Sequence, residues 1–423
     1  MKDGASANGS GAAALGDLKV VEISCLDTMP CFAGAMAAKT FADMGAEVIK
    51  VEPPRGGAPE RHHGPFKAGL PDPETGGLHL YLNTNKMGVT LNLESEKAHA
   101  ILFRILESAD VMFNPNPPTI NERLGIGWRA MVERFPRLVV VSLTSFGADS
   151  KYRDVRGGDL IATQMSGVGY ETPINQVTDL ENEPPLKPAG RQADYLTGFT
   201  AAAGAMCAIY HRKRTGKGQH VDSSLWLSMI SMIRPSMGVF THDTTTAPYG
   251  VRIRTRAKLG VQWVYPCADG WVSFSPITDR FWQGTKVVMG NPEWAESEMF
   301  ESLVARATNY DAIEAGLIDW LSSQKREEVF QKAQAEHVPC FPVYSPREVA
   351  ENPQYKARDF FVSHEHPAAR EVRMPGAPCM FSATPWRLRS PAPMLGQHNS
   401  EILSRRLGMS DETLEQLAAE GTI

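Results

Sequence analysis

The chain of 423 residues has few cysteines, and none of them lies in a metal-binding pattern. Its six cysteines are scattered without a C-x-x-C pair, so we expect reduced thiols and neither a disulfide scaffold nor a zinc ribbon. The eleven histidines also lack the spacing of metal ligands. The sequence therefore predicts no metal and no permanently bound cofactor.

An excess of positive charge and long apolar runs are missing as well. A formal net charge of −5 gives no electrostatic footprint for nucleic acid. No apolar run reaches the length of a membrane span, and residues 1–17 are small and polar, without the apolar core of a signal peptide. We expect a cytoplasmic protein with a disordered tail at 1–17 and with no membrane or nucleic-acid partner.

What the sequence does have is an alternation of buried strands and helical segments. Short β-branched runs are separated by segments of helical character, which predicts parallel crossovers and an open, doubly wound α/β sheet. The predicted strands are LKVVEIS at 18–24, AEVIKVE at 46–52, GVTLNL at 88–93, ADVMFN at 109–114 and LVVVSLTSFG at 138–147. The first turn of this sheet, SCLDTMPCFAG, contains no G-x-G-x-x-G, which argues against a nicotinamide dehydrogenase.

One carboxylate stands at a position suited to chemistry. Asp194 lies at the start of a long helix predicted from Ala193 to about Arg214. An aspartate at such a position can simply cap the helix by accepting a backbone N–H bond. The positive end of the helix would also keep it ionised and able to attack a thioester. The local sequence is compatible with both interpretations.

Segments along nearly the whole chain resemble class III CoA-transferases of the CaiB/BaiF type, which include formyl-CoA, carnitine-CoA and benzylsuccinate CoA-transferases. The resemblance follows the family order over many pieces. They include ADMGAEVIKVEPP, NTNKMGVTLNL, ADVMFNPNPPTINERLGIG, PRLVVVSLTSFG, PPLKPAGRQADYLTG and RKRTGKGQHVDSSL.

The resemblance implies a fold and a reaction. The fold would be a large Rossmann-like domain of residues 18–225 and 343–423 with a small α+β domain at 226–342, in an interlocked homodimer or a heteromer with a related subunit. Asp194 would attack an acyl-CoA, become an aspartyl-CoA thioester, and pass CoA to a carboxylic acid. Succinyl-CoA is the donor suggested by analogy with the family.

The resemblance also implies CoA-binding positions. These are Phe32, Ala33, Leu91, Asn92, Leu93, Asn116, Arg123, Leu143, Thr144 and Phe146. Arg123 keeps the family's arginine in an E-R-L-G setting and is the expected phosphate partner. Arg61 and Lys86, in loops beside strands, are expected to add further phosphate contacts.

Departures from the family pattern bear on the substrate and on the rival functions. Formyl-CoA transferases have glutamine in place of Phe32, arginine in place of Pro53 and a glycine-rich loop where this chain has only Gly260, which disfavours formyl-CoA and oxalate. The related acyl-CoA racemases have histidine in place of Gly158, so one proton-transfer partner is missing here. Two alternatives remain: a racemase or isomerase, and a less active subunit of a hetero-oligomer. Loss of the nucleophile would be the sign of such a subunit, but Asp194 is present.

Overall fold

The computed structural model of the chain describes residues 13–172, 179, 182–233, 237, 263–276 and 278–423. These residues form two compact units. The larger unit contains 13–172, 185–233, 237 and 360–423, and the smaller one contains 179, 182–184, 263–276 and 278–359. Most of the predicted tail, residues 1–12, and the predicted loop around Gly260 lie outside the described residues.

The two units differ from the predicted domain limits at several boundaries. Leu15 belongs to the ordered part, because its N–H donates to the Met44 carbonyl at 2.9 Å. Residues 226–233, predicted for the small domain, belong to the large unit, where Met229 is buried in the core. Residues 343–359 belong to the small unit, because Arg326 donates to the Val343 carbonyl at 2.9 Å and to Glu348 at 2.8 Å.

The large unit is built on a parallel six-stranded sheet in the order β3-β2-β1-β4-β5-β6. This order is that of a doubly wound dinucleotide-binding sheet, and the predicted open α/β fold is confirmed. Its strands are β1 (Lys19–Ile23), β2 (Glu47–Glu52), β3 (Met87–Thr90), β4 (Val111–Asn114), β5 (Val139–Thr144) and β6 (His220–Ser224). The antiparallel strands are β7 (Trp263–Cys267), β8 (Gly270–Phe274) and β9 (Cys340–Pro342) in the small unit, and β10 (Phe361–His366) and β11 (Arg370–Pro375) in the large one.

Helices cover both faces of the sheet. In the large unit they are α1 (Ala33–Asp43), α2 (Gly77–Leu82), α3 (Glu96–Leu106), α4 (Pro118–Arg123), α5 (Trp128–Arg134), α6 (Asp159–Met165), α7 (Val168–Glu171), α8 (Gln192–Thr215) and α9 (Leu225–Ile230). The small unit has α10 (Asp279–Val288), α11 (Leu303–Thr308), α12 (Tyr310–Ser322), α13 (Arg326–Ala335), α14 (Pro346–Glu351) and α15 (Pro353–Ala357), and the large unit ends with α16 (Asp411–Ala419). Within the described residues, no helix combines the length and apolar character needed to cross a membrane.

The alternation of side chains along β5 produces two cores. Val139, Val141 and Leu143 pack on one face of the sheet with α1 and α8. Val140 faces the other side, where α3 and Leu403 of the C-terminal segment complete a second core. All six residues of β5 are buried, as expected for a central parallel strand covered on both faces.

The C-terminal segment of the large unit returns to the edge of this sheet. Arg389 donates to the carbonyl of Ala42 at 2.7 Å, at the end of α1. Asn399 accepts the Thr90 N–H at 2.9 Å with its side-chain oxygen, at the end of β3. The two ends of the chain therefore complete one unit.

A network of buried charged side chains lies around strands β1 and β2. Lys50 on β2 is fully buried and forms ion pairs with Glu22 on β1 and with Glu60. Burial alone would lower the pKa of Lys50, but the two carboxylates raise it above its usual value. Burial would raise the pKa of Glu60, but Lys50 holds it at about 2. The charges therefore persist because each has a partner.

Replacing Lys50 by methionine should destabilise the large unit. The variant Lys50→Met leaves the buried carboxylates of Glu22 and Glu60 without their shared cation, so we expect a loss of about 3–5 kcal/mol in the free energy of unfolding. Denaturant unfolding measures it. The matched control is Lys97→Met, since the Lys97–Glu420 pair is exposed and should contribute about 0–1 kcal/mol. Equal stability of the two variants would contradict the structural role of the network.

Candidate active site

Asp194 is fully buried at a point where two helices begin. It is the third residue of α8, whose N-cap position is occupied by Arg191, so the interpretation of Asp194 as an N-cap residue is wrong. Its Oδ1 instead accepts the backbone N–H of Phe32, the residue before α1, at 3.0 Å. The carboxylate thus faces the positive ends of two helices, which favours its ionised form.

Small residues allow α1 and α8 to approach each other closely at this point. Gly198 stands one turn after Asp194, and a Cβ placed on it would lie 2.6 Å from Met36 Cβ and 2.9 Å from the Ala33 carbonyl oxygen. Such distances are too short for any side chain. Glycine at this position is therefore what brings the Phe32 N–H within reach of the Asp194 carboxylate.

The electrostatic environment of Asp194 is balanced between opposing effects. The pKa of Asp194 is raised to about 6, and burial of the carboxyl group is the largest cause. Within that net value, the Phe32 N–H and the Arg191 guanidinium act to lower the pKa, while the neighbouring carboxylate of Asp159 acts to raise it. Asp194 is therefore mostly ionised at neutral pH but is a stronger base than an exposed aspartate, which suits a carboxylate nucleophile.

Two further residues, Asp159 and Lys187, hold the start of α8. Asp159, the first residue of α6, accepts the Ala193 N–H at 2.8 Å. Its other oxygen pairs with Lys187 at 2.7 Å. Lys187 also donates to the carbonyls of Pro188, at 3.1 Å, and Gly190. Asp159 therefore links the start of α6 to the start of α8 and to Lys187.

A cavity of about 530 Å³ opens beside this cluster. We name it the Arg191 cavity; its lining residues are Met29, Pro30, His63, Gly158, Asp159, Leu160, Ile161, Lys187, Gly190 and Arg191. Arg191 connects the cavity to the carboxylate, because its Nη1 lies 3.4 Å from Asp194 Oδ2. The loop after β1 supplies Met29 and Pro30, so the cavity lies at the carboxyl edge of the sheet, where open α/β sheets bind ligands.

Gly158, which replaces the racemase histidine, borders the Arg191 cavity. A Cβ at this position would meet only Met29 Cε, at 3.6 Å. Space at the Cβ position therefore does not account for the glycine. His63 also lines the cavity, and its Nδ1 is hydrogen-bonded to the Pro59 carbonyl at 2.9 Å.

The residues expected to bind CoA lie at the carboxyl ends of β1, β3, β4 and β5. Eight of the ten are buried; they are Phe32, Ala33, Leu91, Leu93, Asn116, Leu143, Thr144 and Phe146. Asn92 is half-buried and Arg123 is exposed. Asn116 uses its side chain internally, accepting the Leu26 N–H at 2.6 Å and donating to the Ser24 carbonyl at 3.0 Å.

A second cavity, of about 240 Å³, lies near the exposed cation Arg123. It is lined by α4, by Trp128 of α5 and by Thr144 of β5, and Arg123 is the last residue of α4. The guanidinium of Arg123 is paired with Glu94, and this hydrogen bond raises its pKa. Of the three expected phosphate partners, Arg123 is the one that solvent reaches.

The structure corrects the expectation for Arg61 and Lys86. Arg61 is fully buried and donates to Glu52 at 2.7 Å and to Glu74 at 2.8 Å. Lys86 is equally buried, pairs with Glu22 at 2.7 Å, and has its pKa lowered by burial to about 8. Both cations already serve the buried charge network, so neither is placed to contact a CoA phosphate.

Arg191 is the residue of this site that sequence reasoning missed. Its guanidinium carbon lies 4.3 Å from the centre of the Phe32 ring, which in turn contacts the ring of His63 at 5.0 Å. The closeness of Arg191 to Asp194 in the sequence was a signal, because the N-cap residue and the third residue of a helix lie side by side. The contact with Phe32 was not readable, since it joins segments 159 residues apart.

Comparison with known proteins gives the same family over nearly the whole chain. The model of CoA-transferase family III matches residues 15–399. Among curated relatives, the formyl-CoA:oxalate CoA-transferase of Streptomyces avermitilis is 29% identical over 95% of this chain and 98% of its own. The succinyl-CoA–L-malate CoA-transferase beta subunit of Chloroflexus aurantiacus is 28% identical over 96% and 98%.

A solved structure shows the same fold. The CaiB/BaiF family protein from Brucella suis superimposes with a TM-score of 0.79 over 93% of this chain and 99% of its own. Its sequence identity is 24%, so this likeness concerns the fold alone.

Substitution of Gly198 tests the close packing of α1 and α8. In Gly198→Ala the new methyl group would overlap Met36 and the Ala33 carbonyl, so we expect a loss of about 1–3 kcal/mol in the free energy of unfolding. The matched control in the same helix is Gly204→Ala, whose Cβ would meet a flexible Val221 methyl at 3.1 Å. Denaturant unfolding should leave the control within about 1 kcal/mol of the parent, because alanine also favours the helix. Equal losses in the two variants would contradict the packing argument.

Proposed function

Because the chain belongs to CoA-transferase family III, we propose that it moves CoA from an acyl-CoA to a carboxylic acid through a covalent thioester at Asp194. The observation that carries the proposal is the buried carboxylate of Asp194, which accepts the Phe32 N–H and has its pKa raised to about 6. A carboxylate so placed is ionised, desolvated and close to backbone donors.

The proposed reaction proceeds by four exchanges at carbonyl carbon. The Asp194 carboxylate attacks the carbonyl carbon of the donor acyl-CoA and the C–S bond breaks. This step forms a mixed anhydride between Asp194 and the donor acid and releases CoA thiolate. The thiolate then attacks the aspartyl carbonyl, giving aspartyl-CoA and the free donor acid. The acceptor carboxylate attacks this thioester and releases the thiolate. The thiolate finally attacks the acyl carbon of the acceptor, which forms the new acyl-CoA and frees Asp194.

Backbone amides at the start of α1 would stabilise the charge that develops in these steps. The first N–H groups of a helix have no partner within the helix, and the N–H of Phe32 already points at the Asp194 carboxylate. When the aspartyl carbonyl becomes tetrahedral, its oxygen carries negative charge. Donors that are already oriented stabilise that charge without reorganisation.

Substrates and assembly are the finer part of the proposal. We take succinyl-CoA as the candidate donor, because the Chloroflexus relative is named for it. CoA itself would lie along the carboxyl edge of the sheet, with Arg123 at a phosphate. An interlocked homodimer is the proposed assembly, and a heteromer is the alternative because that relative is named as a beta subunit.

Intact-protein mass spectrometry tests the covalent step. Incubation with a panel of acyl-CoAs that includes succinyl-CoA should give a CoA adduct, which hydroxylamine converts to a hydroxamate at Asp194. Asp194→Asn should give neither product. The neighbouring variant Asp159→Asn should still be labelled at Asp194, since its role is to hold α8. Exchange of the α-proton of an acyl-CoA without any adduct would instead support a racemase.

The pH dependence of adduct formation follows from the raised pKa of Asp194. Below about pH 6 the carboxyl group is protonated and cannot attack, so the rate should fall about tenfold per pH unit there. Above about pH 7 the rate should reach a plateau. Stopped reactions analysed by mass spectrometry at a series of pH values measure this profile. A midpoint near that of an exposed aspartate, about 3.9, would contradict the burial argument.

A further inference from the structure

Arg191 combines three contacts that together point to a ligand. Its Nη1 lies 3.4 Å from Asp194 Oδ2, its guanidinium lies over the Phe32 ring at 4.3 Å, and its side chain lines the Arg191 cavity. The side chain is 29% exposed, whereas that of Asp194 is fully buried. The Arg191 guanidinium is therefore a charged group that both lines the Arg191 cavity and contacts the Asp194 carboxylate.

The other cation of the cavity is already fully engaged. Lys187 pairs with Asp159 at 2.7 Å and also donates to the carbonyls of Pro188 and Gly190. An ammonium group has three donors, and these contacts use all of them. Asp159 in turn keeps its charge in every step of the proposed reaction, so Lys187 does not lose its partner.

Arg191 differs because its partner changes charge during the reaction. While Asp194 is ionised, the carboxylate and the guanidinium neutralise each other. Once Asp194 is acylated or joined to CoA, it is a neutral carbonyl, and the cation next to it lacks a counter-charge. An uncompensated charge in a partly buried site is costly. The flat face of Phe32 holds the guanidinium in place, so it cannot simply turn away without losing this contact.

We propose that Arg191 binds the carboxylate of the acid substrate whenever Asp194 is in its covalent form. This inference rests on the proposed function and adds the residue that selects a carboxylate as the nucleophile. The planar guanidinium offers paired donors that match a carboxylate. The acid then attacks the aspartyl carbonyl, the C–S bond breaks, and CoA thiolate leaves, with no net transfer of a proton.

The same exchange of charge favours release at the end of the cycle. When thiolate attacks the acyl carbon, the bond to the Asp194 oxygen breaks and the aspartate regains its negative charge. Asp194 then pairs with Arg191 again. In the new acyl-CoA the reacting carboxylate has become a neutral thioester, so this group no longer competes with Asp194 for the guanidinium.

Aspartyl-CoA protein, isolated by gel filtration, allows the second half of the reaction to be tested alone. At pH 8 the aspartyl-CoA protein of each variant is divided between an excess of a carboxylic acid and an excess of hydroxylamine. For Arg191→Gln we expect the rate of CoA transfer to the acid to fall about 10- to 100-fold. The rate with hydroxylamine, a neutral nucleophile, should stay within about twofold of the parent.

Two further variants complete the test. Arg191→Lys keeps the charge without the planar fork and should retain an intermediate rate with the acid. Arg214→Gln, at the opposite end of α8, is the matched control and should behave as the parent with both nucleophiles.

The outcomes separate the two proposals. Equal loss of the acid and hydroxylamine rates in Arg191→Gln, or no loss of either, would overturn the role of Arg191 while leaving the aspartyl-CoA step intact. Absence of any adduct in the parent protein with every acyl-CoA would overturn the proposed function itself, and this inference with it.

Discussion

The hydrogen bond from the Phe32 N–H to the Asp194 carboxylate is the contact on which the site depends. It joins the start of α1 to the start of α8 at 3.0 Å and is possible only because Gly198 lets the two helices touch. Burial and the helix ends act on Asp194 in opposite directions: burial disfavours its charge, and the helix ends favour it. Asp159 adds to the rise in the pKa of Asp194, and Arg191 opposes it.

The buried charge network is the constraint that fixes the sheet around this contact. Lys50, Lys86 and Arg61 project from or beside the strands into a region with almost no solvent, and the carboxylates of Glu22, Glu52 and Glu60 neutralise them. An ion pair of this kind contributes little net stability compared with apolar packing, but it costs much if one partner is lost. The buried charge network therefore favours one alignment of β1, β2 and the loop after β2 over others.

How far the sequence predicted this protein depends on the range of the interactions concerned. The strands and α8 could be predicted because hydrophobic alternation and helix periodicity are local. Asp194 was found by resemblance and by its position at a helix start. Arg61 and Lys86 were misassigned because a loop cation in the sequence looks the same whether it is solvated or buried against Glu52 or Glu22. Arg191 was missed because its partner Phe32 is distant in sequence.

The return of the C-terminal segment to the large unit affects the order in which the protein can fold. Arg61 donates to the Pro393 carbonyl at 3.0 Å, and Asn399 closes the end of β3 at Thr90. During synthesis the whole small unit leaves the ribosome before these residues do. The Arg61 side chain and the edge of β3 therefore lack their C-terminal contacts while more than three hundred further residues are synthesised. The large unit can be completed only after these C-terminal residues are made, and until then its edge at β3 lacks this cover.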